Sequence, residues 1–145
     1  MDFTEYKALV DEWRKETVKP LIKSDFNDLE KMMEKNLPTD FIDHYLESNG
    51  EIDSDKYSFF PIKYGFSLER FMYTQKQSGV EYAKKLPFAS DLYGHKYVLS
   101  LEDDSYGHVL FLTHGYEDRQ EYDFVSNSFL MFMNDYVSKG KTFFN

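Results

Sequence analysis

Four histidines, two acidic loops and a set of tyrosines are the residues of this chain whose types and spacing could do chemistry. Two strand-like runs, Lys96–Leu101 and His108–Thr113, flank the polar stretch Glu102–Gly107, which suits a hairpin loop. If that loop closes symmetrically, Leu101 faces His108, Leu99 faces Leu110, Tyr97 faces Leu112 and His95 faces His114. The two imidazoles then stand with Cβ atoms about 5 Å apart. Joined by a carboxylate such as Asp91 or Glu117, they could chelate zinc or nickel. The plainer expectation is a cross-strand pair at the sheet margin. His108 and His114 share a face but stand roughly 20 Å apart at about 3.4 Å per residue, too far to hold one ion. His44 falls off the apolar stripe of its helix and reads as solvated.

Nothing else in the chain marks a reaction centre. There is no G-x-S-x-G elbow, phosphate-binding glycine loop, H-E-x-x-H or calcium-loop pattern. With no cysteine, thiolate nucleophiles, thiolate metal sites and disulfides are excluded. Serine and aspartate are plentiful without the spacing of a triad. The expectation is a non-enzymatic protein with no catalytic residue, cofactor or metal.

The acidic groups suggest binding instead. Glu102, Asp103 and Asp104 form one loop, and Glu117 and Asp118, with Glu121 and Asp123, form another. In an antiparallel hairpin these loops lie at opposite ends of the strands. Tyr93, Tyr106 and Tyr116 stand near them. Tyrosine beside carboxylate offers apolar area, a hydrogen-bonding tip and charge complementarity, so these eight residues, Tyr93, Glu102, Asp103, Asp104, Tyr106, Tyr116, Glu117 and Asp118, are the candidate partner-binding set. The alternative is that each loop is merely a solvated one.

Composition bounds the partner. The 145 residues suit a single domain spanning 1–145, able to bury roughly 70% of its unfolded surface without a disulfide or metal staple. Twenty-six acidic against 17 basic residues leave a net charge of −9, which repels phosphate backbones and favours a basic protein partner over nucleic acid. No apolar run approaches the about 20 residues of a membrane span. The opening MDFTEYKALVDEWRKE mixes acids into its first turns and reads as no signal peptide, so the expected location is the cytoplasm. Aromatic residues at 19% give a bulky core and leave room for a homodimer.

The elements that position these groups follow from periodicity. Phe3, Tyr6, Val10 and Trp13 recur at helical spacing until Pro20. Ser24 or Asp25 opens a second helix with Phe26, Leu29, Met32 and Met33 inward and Asn36 at its end. A third follows Leu37-Pro38, with Thr39 as cap, Phe41, Ile42, Tyr45 and Leu46 buried, and Asn49-Gly50 as the left-handed stop. Glu51–Lys56 is a polar connection, and Tyr57–Ile62 is a strand that Pro61 makes an edge or ends. A middle helix runs from Ser67 to about Lys84, with Leu68, Phe71 and Met72 inward. After the hairpin and the charged connection Gly115–Asp123, a last helix starts at Ser126 and carries Phe129, Phe132, Met133 and Tyr136 inward. The hairpin is apolar on both faces, with Tyr97, Leu99, Leu101, Leu110 and Leu112 on one and Val98, Val109 and Phe111 on the other. The fold class is therefore α+β: a mainly antiparallel sheet around a central hairpin, about 95–114, with N-terminal, middle and C-terminal helices packed against it.

Four blocks carry a family resemblance. Leu37-Pro38-x-Asp40-Phe41 with Ser48-Asn49-Gly50 resembles the start of SUKH superfamily domains, small proteins related to the fungal cell-wall glucan-synthesis regulators. Pro87-Phe88-Ala89-Ser90-Asp91 with Gly94 is similar to that family's turn before a central strand. Gly107-His108-Val109-Leu110-Phe111 with His114 resembles its G-x-V strand, and Val125-Ser126-Asn127-Ser128-Phe129 with Phe132 its closing helix. The blocks occur in the family's order across roughly Phe26–Val137. The resemblance implies an α+β fold and no established catalytic residues. It also implies the role of many bacterial members: immunity proteins that neutralise a cognate toxin, often a nuclease or deaminase, by binding it. The alternative it implies is a regulatory or scaffolding module acting on cell-wall synthesis or other cellular machinery.

Overall fold

A computed structural model of the chain describes residues 4, 5, 8, 21–49, 58–62, 68, 84–91, 93–113 and 121–138. Within these residues the class is α+β. A one-turn 3-10 helix, Lys23–Phe26, runs into α1 (Asn27–Met33), followed by α2 (Thr39–Ser48). Five strands come next, β1 (Ser58–Phe59), β2 (Lys85–Ser90), β3 (Lys96–Ser100), β4 (Val109–Leu112) and β5 (Asp123–Ser126), and then α3 (Phe129–Ser138). The sheet has the order β1-β2-β3-β4-β5 with every neighbouring pair antiparallel, so sequence order and spatial order coincide.

The hairpin of β3 and β4 forms, but one residue away from the symmetric register. Tyr97 pairs with Phe111, Val98 with Leu110 and Leu99 with Val109. The backbone explains the shift. Leu101 turns its N–H to the Lys84 carbonyl (2.7 Å) instead of towards β4, while Ser100 donates to His108 (2.9 Å) and accepts from Gly107 (2.8 Å). Gly107 holds φ at +87°, a conformation glycine adopts without steric cost, which closes the loop asymmetrically. A one-residue slip exchanges faces. Phe111 therefore joins Tyr97, at a ring separation of 5.2 Å, and Leu110 joins Val98, so the face assignments expected from symmetry are corrected. Both faces still carry buried apolar residues. The opposition of His95 and His114 was drawn from the symmetric register, and His114 lies outside the described residues.

Two strands had no clear signal. In β2, KLPFAS, proline argues against an inner strand because it donates no ladder hydrogen bond. The structure pairs Pro87 with Val98 and Ala89 with Tyr97, so the register shifts immediately after the proline and Phe88 is the bulged residue. In β5 the four residues again carry a register shift, opposite Val109 and Leu110. This strand occupies Ser126, so the last helix begins three residues later than expected. Its cap is Ser128, whose Oγ accepts the Met131 N–H at 3.1 Å.

Helix stripes match their spacing more closely. Phe129, Phe132, Met133 and Tyr136 are buried on α3, as are Phe41 and Tyr45 on α2, with Ile42 and Leu46 packed at the cluster's edge. Phe26, Leu29 and Met33 fill the inner side around α1, whereas Met32 is 46% exposed. That helix stops at Met33, short of Asn36, because Glu34 adopts the left-handed conformation at φ 56°. Pro38 takes the cap position of α2 in place of Thr39, and the Asp40 carboxylate accepts the Phe41 N–H (2.8 Å). The strand expected at Tyr57–Ile62 is short and ends before Pro61. Thr4, Glu5 and Ala8 are helical, but Phe3, Tyr6, Val10 and Trp13 fall outside the described residues, as does nearly all of the middle helix; Leu68 is helical and fully buried.

The core lies between α2, α3 and one face of the sheet. Phe88 of β2 meets Phe129 (5.3 Å), Phe132 (5.6 Å) and Phe41 (6.4 Å), all edge-on. Tyr45, buried, donates to the Phe60 carbonyl at 3.0 Å, and burial pushes its phenol far above the ordinary range. Asn49 ends α2 at φ 50° and accepts the buried Ile62 N–H through Oδ1 at 2.7 Å. Asn49→Gly preserves the left-handed conformation but removes that acceptor, and is expected to cost about 1–3 kcal/mol. Asn49→Ala adds backbone strain of about 1–2 kcal/mol. Urea unfolding of both variants separates the contributions; wild-type stability in Asn49→Gly would show that the side-chain bond carries nothing.

Candidate functional site

The loop between β3 and β4 holds the first group of expected binding residues, and it is fastened to the rest of the protein. Short contacts shape it internally: Ser105 donates to Glu102 (3.2 Å), His108 donates to Ser105 (3.0 Å), and the Ser100 and Ser105 hydroxyls meet at 2.6 Å. The Tyr106 hydroxyl then reaches the Asn36 carbonyl beyond the end of α1 (2.6 Å). Lys35 forms an ion pair with Asp103 and stands 6.0 Å from the centre of the Tyr106 ring. Lys85, at the start of β2, pairs with Glu102 at 3.4 Å. Lys84 donates to the Met33 carbonyl at the end of α1 (3.1 Å).

These contacts decide which carboxylates are available. The bond to Lys35 holds the Asp103 carboxyl below its usual range, and the same bond raises the Lys35 ammonium. Glu102 is committed to Lys85. Asp104 is exposed and accepts a bond from its neighbour Ser105 (3.2 Å), and it is the member of the trio with no cation partner among the described residues. Burial, then the Glu30 charge, raises the Tyr106 phenol. A shallow depression open to solvent, lined by Glu30, Lys31, Glu34, Lys35 and Asn36, lies beside this latch and offers no enclosed chamber for a substrate.

Tyr93 belongs to a different place. It sits in the turn before β3, where Asp91 Oδ1 accepts the N–H groups of Tyr93 (2.9 Å) and His95 (3.0 Å) and Gly94 takes φ +84°. Tyr93 is 77% exposed. The five residues of β3, roughly 17 Å of strand, separate it from Tyr106, so the two tyrosines do not share one patch. Tyr116, Glu117 and Asp118 lie outside the described residues. The structure thus brings Glu102, Asp103, Asp104 and Tyr106 together and sets Tyr93 apart. Sequence reasoning missed Lys35, Asn36, Lys84 and Lys85, the groups that anchor the loop. Lys35 is 68 positions from Asp103, and no periodicity links them.

The described histidines pack against aromatic rings. His95 lies against Phe111 (5.4 Å) and Tyr93 (6.2 Å), and His108 against Phe124 (5.5 Å). Among the described residues no group of three or more histidine or carboxylate side chains could hold a metal ion. His44 is half-buried rather than solvated, between Tyr45 and Phe129 with Ser48 Oγ at 3.4 Å from Nε2. No helix among the described residues is long and apolar enough to cross a membrane.

The described residues thus form an α+β domain in which Glu102, Asp103, Asp104 and Tyr106 are gathered in one loop held on α1. The SMI1 / KNR4 family (SUKH-1) matches residues 20–135, most of the chain, and the chain belongs to that family. No curated protein matches it in sequence. Membership supports a protein-binding domain of immunity or regulatory type, in a family that is generally non-catalytic.

Burial lowers the pKa of His44, opposed by the Glu47 charge. The unfolded chain, with histidine near about 6.5, then binds a proton that the folded chain resists. Stability is full above that value and falls as pH drops through it towards the lower folded value. The urea midpoint is expected to fall between about pH 7.5 and 5.5. His44→Gln should flatten that slope; an unchanged slope would assign it to other groups.

Proposed function

We propose that this protein is a non-catalytic immunity protein that neutralises a cognate bacterial toxin, of nuclease or deaminase type, by stoichiometric binding. The observation that carries the reading is membership of the SMI1 / KNR4 family (SUKH-1), joined to a net charge of −9. Enzymes that act on nucleic acid present basic clefts, and an acidic inhibitor is steered to them by long-range attraction. Once docked, carboxylates occupy the positions of substrate phosphates and exclude the substrate. Such an inhibitor needs no cofactor and acts in the cytoplasm, where the toxin's substrates are. A regulatory or scaffolding module is the second reading; it rests on the same membership and differs in binding a host protein in cells without a toxin gene.

Co-purification of the tagged protein from its own cells tests the reading. A stoichiometric basic nuclease or deaminase fragment is the expected companion, and a housekeeping protein in its place would move the assignment to the regulatory module. The captured partner then tests the loop. Because Glu102 and Asp103 are tied to Lys85 and Lys35, Asp104→Lys is the change that alters surface charge without breaking an internal ion pair. It should slow association and flatten its dependence on salt. An unaltered on-rate removes this loop from the interface.

A further inference from the structure

A second surface combines exposed apolar side chains with exposed carboxylates. On α3, Leu130 is 57% exposed, Met131 50% and Val137 55%. Leu130 and Val137 stand two turns apart on one outward stripe, with Asn134 between them and Met131 beside it. These are the exposed large apolar groups of a helix that carries no lysine or arginine. The inner stripe of the same helix is fully occupied by core contacts, so the outer residues are not needed for packing.

The neighbouring helix supplies the charge. Asp40 Oδ2 accepts the Leu130 N–H at 3.0 Å, which fixes the first turn of α2 against the first turn of α3. His44, one turn on, meets Phe129 at 5.4 Å, so this flank of α2 packs on the first turn of α3. Asp43 and Glu47 follow Asp40 at i+3 and i+7 and are exposed, which gives the same flank of α2 a row of carboxylates. Asp135 is exposed on the far side of the apolar stripe. Segments 37–49 and 121–138 together hold six acidic residues (Asp40, Asp43, Glu47, Glu121, Asp123, Asp135) and no lysine or arginine, so they account for six of the nine excess negative charges of the chain.

We infer that the outer face of α2 and α3 is a docking surface for a cationic amphipathic segment of a protein partner: apolar side chains on Leu130, Met131 and Val137, lysine or arginine against Asp43, Glu47 and Asp135. The sign of the charge selects the occupant. A second copy of this chain would bring the same carboxylates, Asp43, Glu47 and Asp135, to the contact, and an anionic membrane or a nucleic acid would be repelled in the same way. A basic segment gains both burial of the apolar stripe and Coulomb attraction at its rim. This inference rests on the toxin-neutralising reading for the identity of the partner and places its contact away from the Glu102–Gly107 loop.

The test uses the full chain and a labelled leucine–lysine amphipathic peptide about five helical turns long, with a shuffled peptide of equal composition as control. Fluorescence anisotropy should show binding of the amphipathic peptide, weakened by at least about tenfold in Leu130→Lys/Val137→Lys. Asp43→Lys/Glu47→Lys, which leaves α3 untouched, should weaken it as well, and Asp104→Lys should leave it within about twofold. Circular dichroism and melting confirm that each variant is folded. Equal binding of the shuffled peptide, or indifference to both double variants, overturns the inference. So does a wild-type dimer that the α3 variant abolishes. Capture from cells is read separately. A toxin retained by the double variants sinks this surface and leaves neutralisation standing; peptide binding as expected, with only a housekeeping protein captured, keeps the surface and removes neutralisation.

Discussion

The edge-on contact of Phe88 with the rings of Phe41, Phe129 and Phe132 is the interaction on which the rest of the structure depends. It joins the sheet to both helices that flank it. Aromatic edges and faces carry opposite partial charge, so such contacts have preferred directions as well as apolar area. Phe88 reaches this position because β2 bulges beside Pro87. A residue that weakens the strand as a ladder thus aims the side chain around which the helices assemble. Removing a ring of this size from a core costs about 3–5 kcal/mol, a large share of a domain's net stability.

Charge is distributed in two ways that have different consequences. At the β3–β4 loop, Glu102 and Asp103 find lysines within the chain, and their charges help to hold the loop on α1. Exposed pairs of this kind contribute little energy individually and are weakened by salt. Along α2 and α3 the carboxylates find no lysine or arginine on their own segments, and their field extends into solvent. The first arrangement organises the protein; the second is the one the proposed docking surface uses. A net charge alone does not distinguish them.

The parts of the fold that were legible in the sequence are those fixed by local periodicity. Phe129, Phe132, Met133 and Tyr136 specify the inner face of α3 because four residues at helical spacing leave one solution. Asn49 was legible as a stop because few residues tolerate left-handed geometry. The strand register was not, since it depended on Leu101 bonding to Lys84 and on the conformation of Gly107, neither of which symmetry of the loop reveals. β2 was hidden by Pro87, whose bulge requires knowledge of both partner strands. At the candidate site, the grouping of Glu102, Asp103, Asp104 and Tyr106 was visible as one loop. That two of its carboxylates are already occupied was not, because Lys35 and Lys85 come from elements distant in sequence.

The carboxylate of Asp40 touches an N–H of its own helix and another ninety positions away, at the opening of α3. From β2 to β5 each strand neighbours the one before it in sequence, so these hairpins close over short spans of chain. The join between α2 and α3 closes the long span around them, and its entropic cost is met only when both ends are in place. The paired face of these helices therefore belongs to no fragment of the fold. A partner that reads this face responds to a chain whose topology is already closed, and partly folded copies are invisible to it.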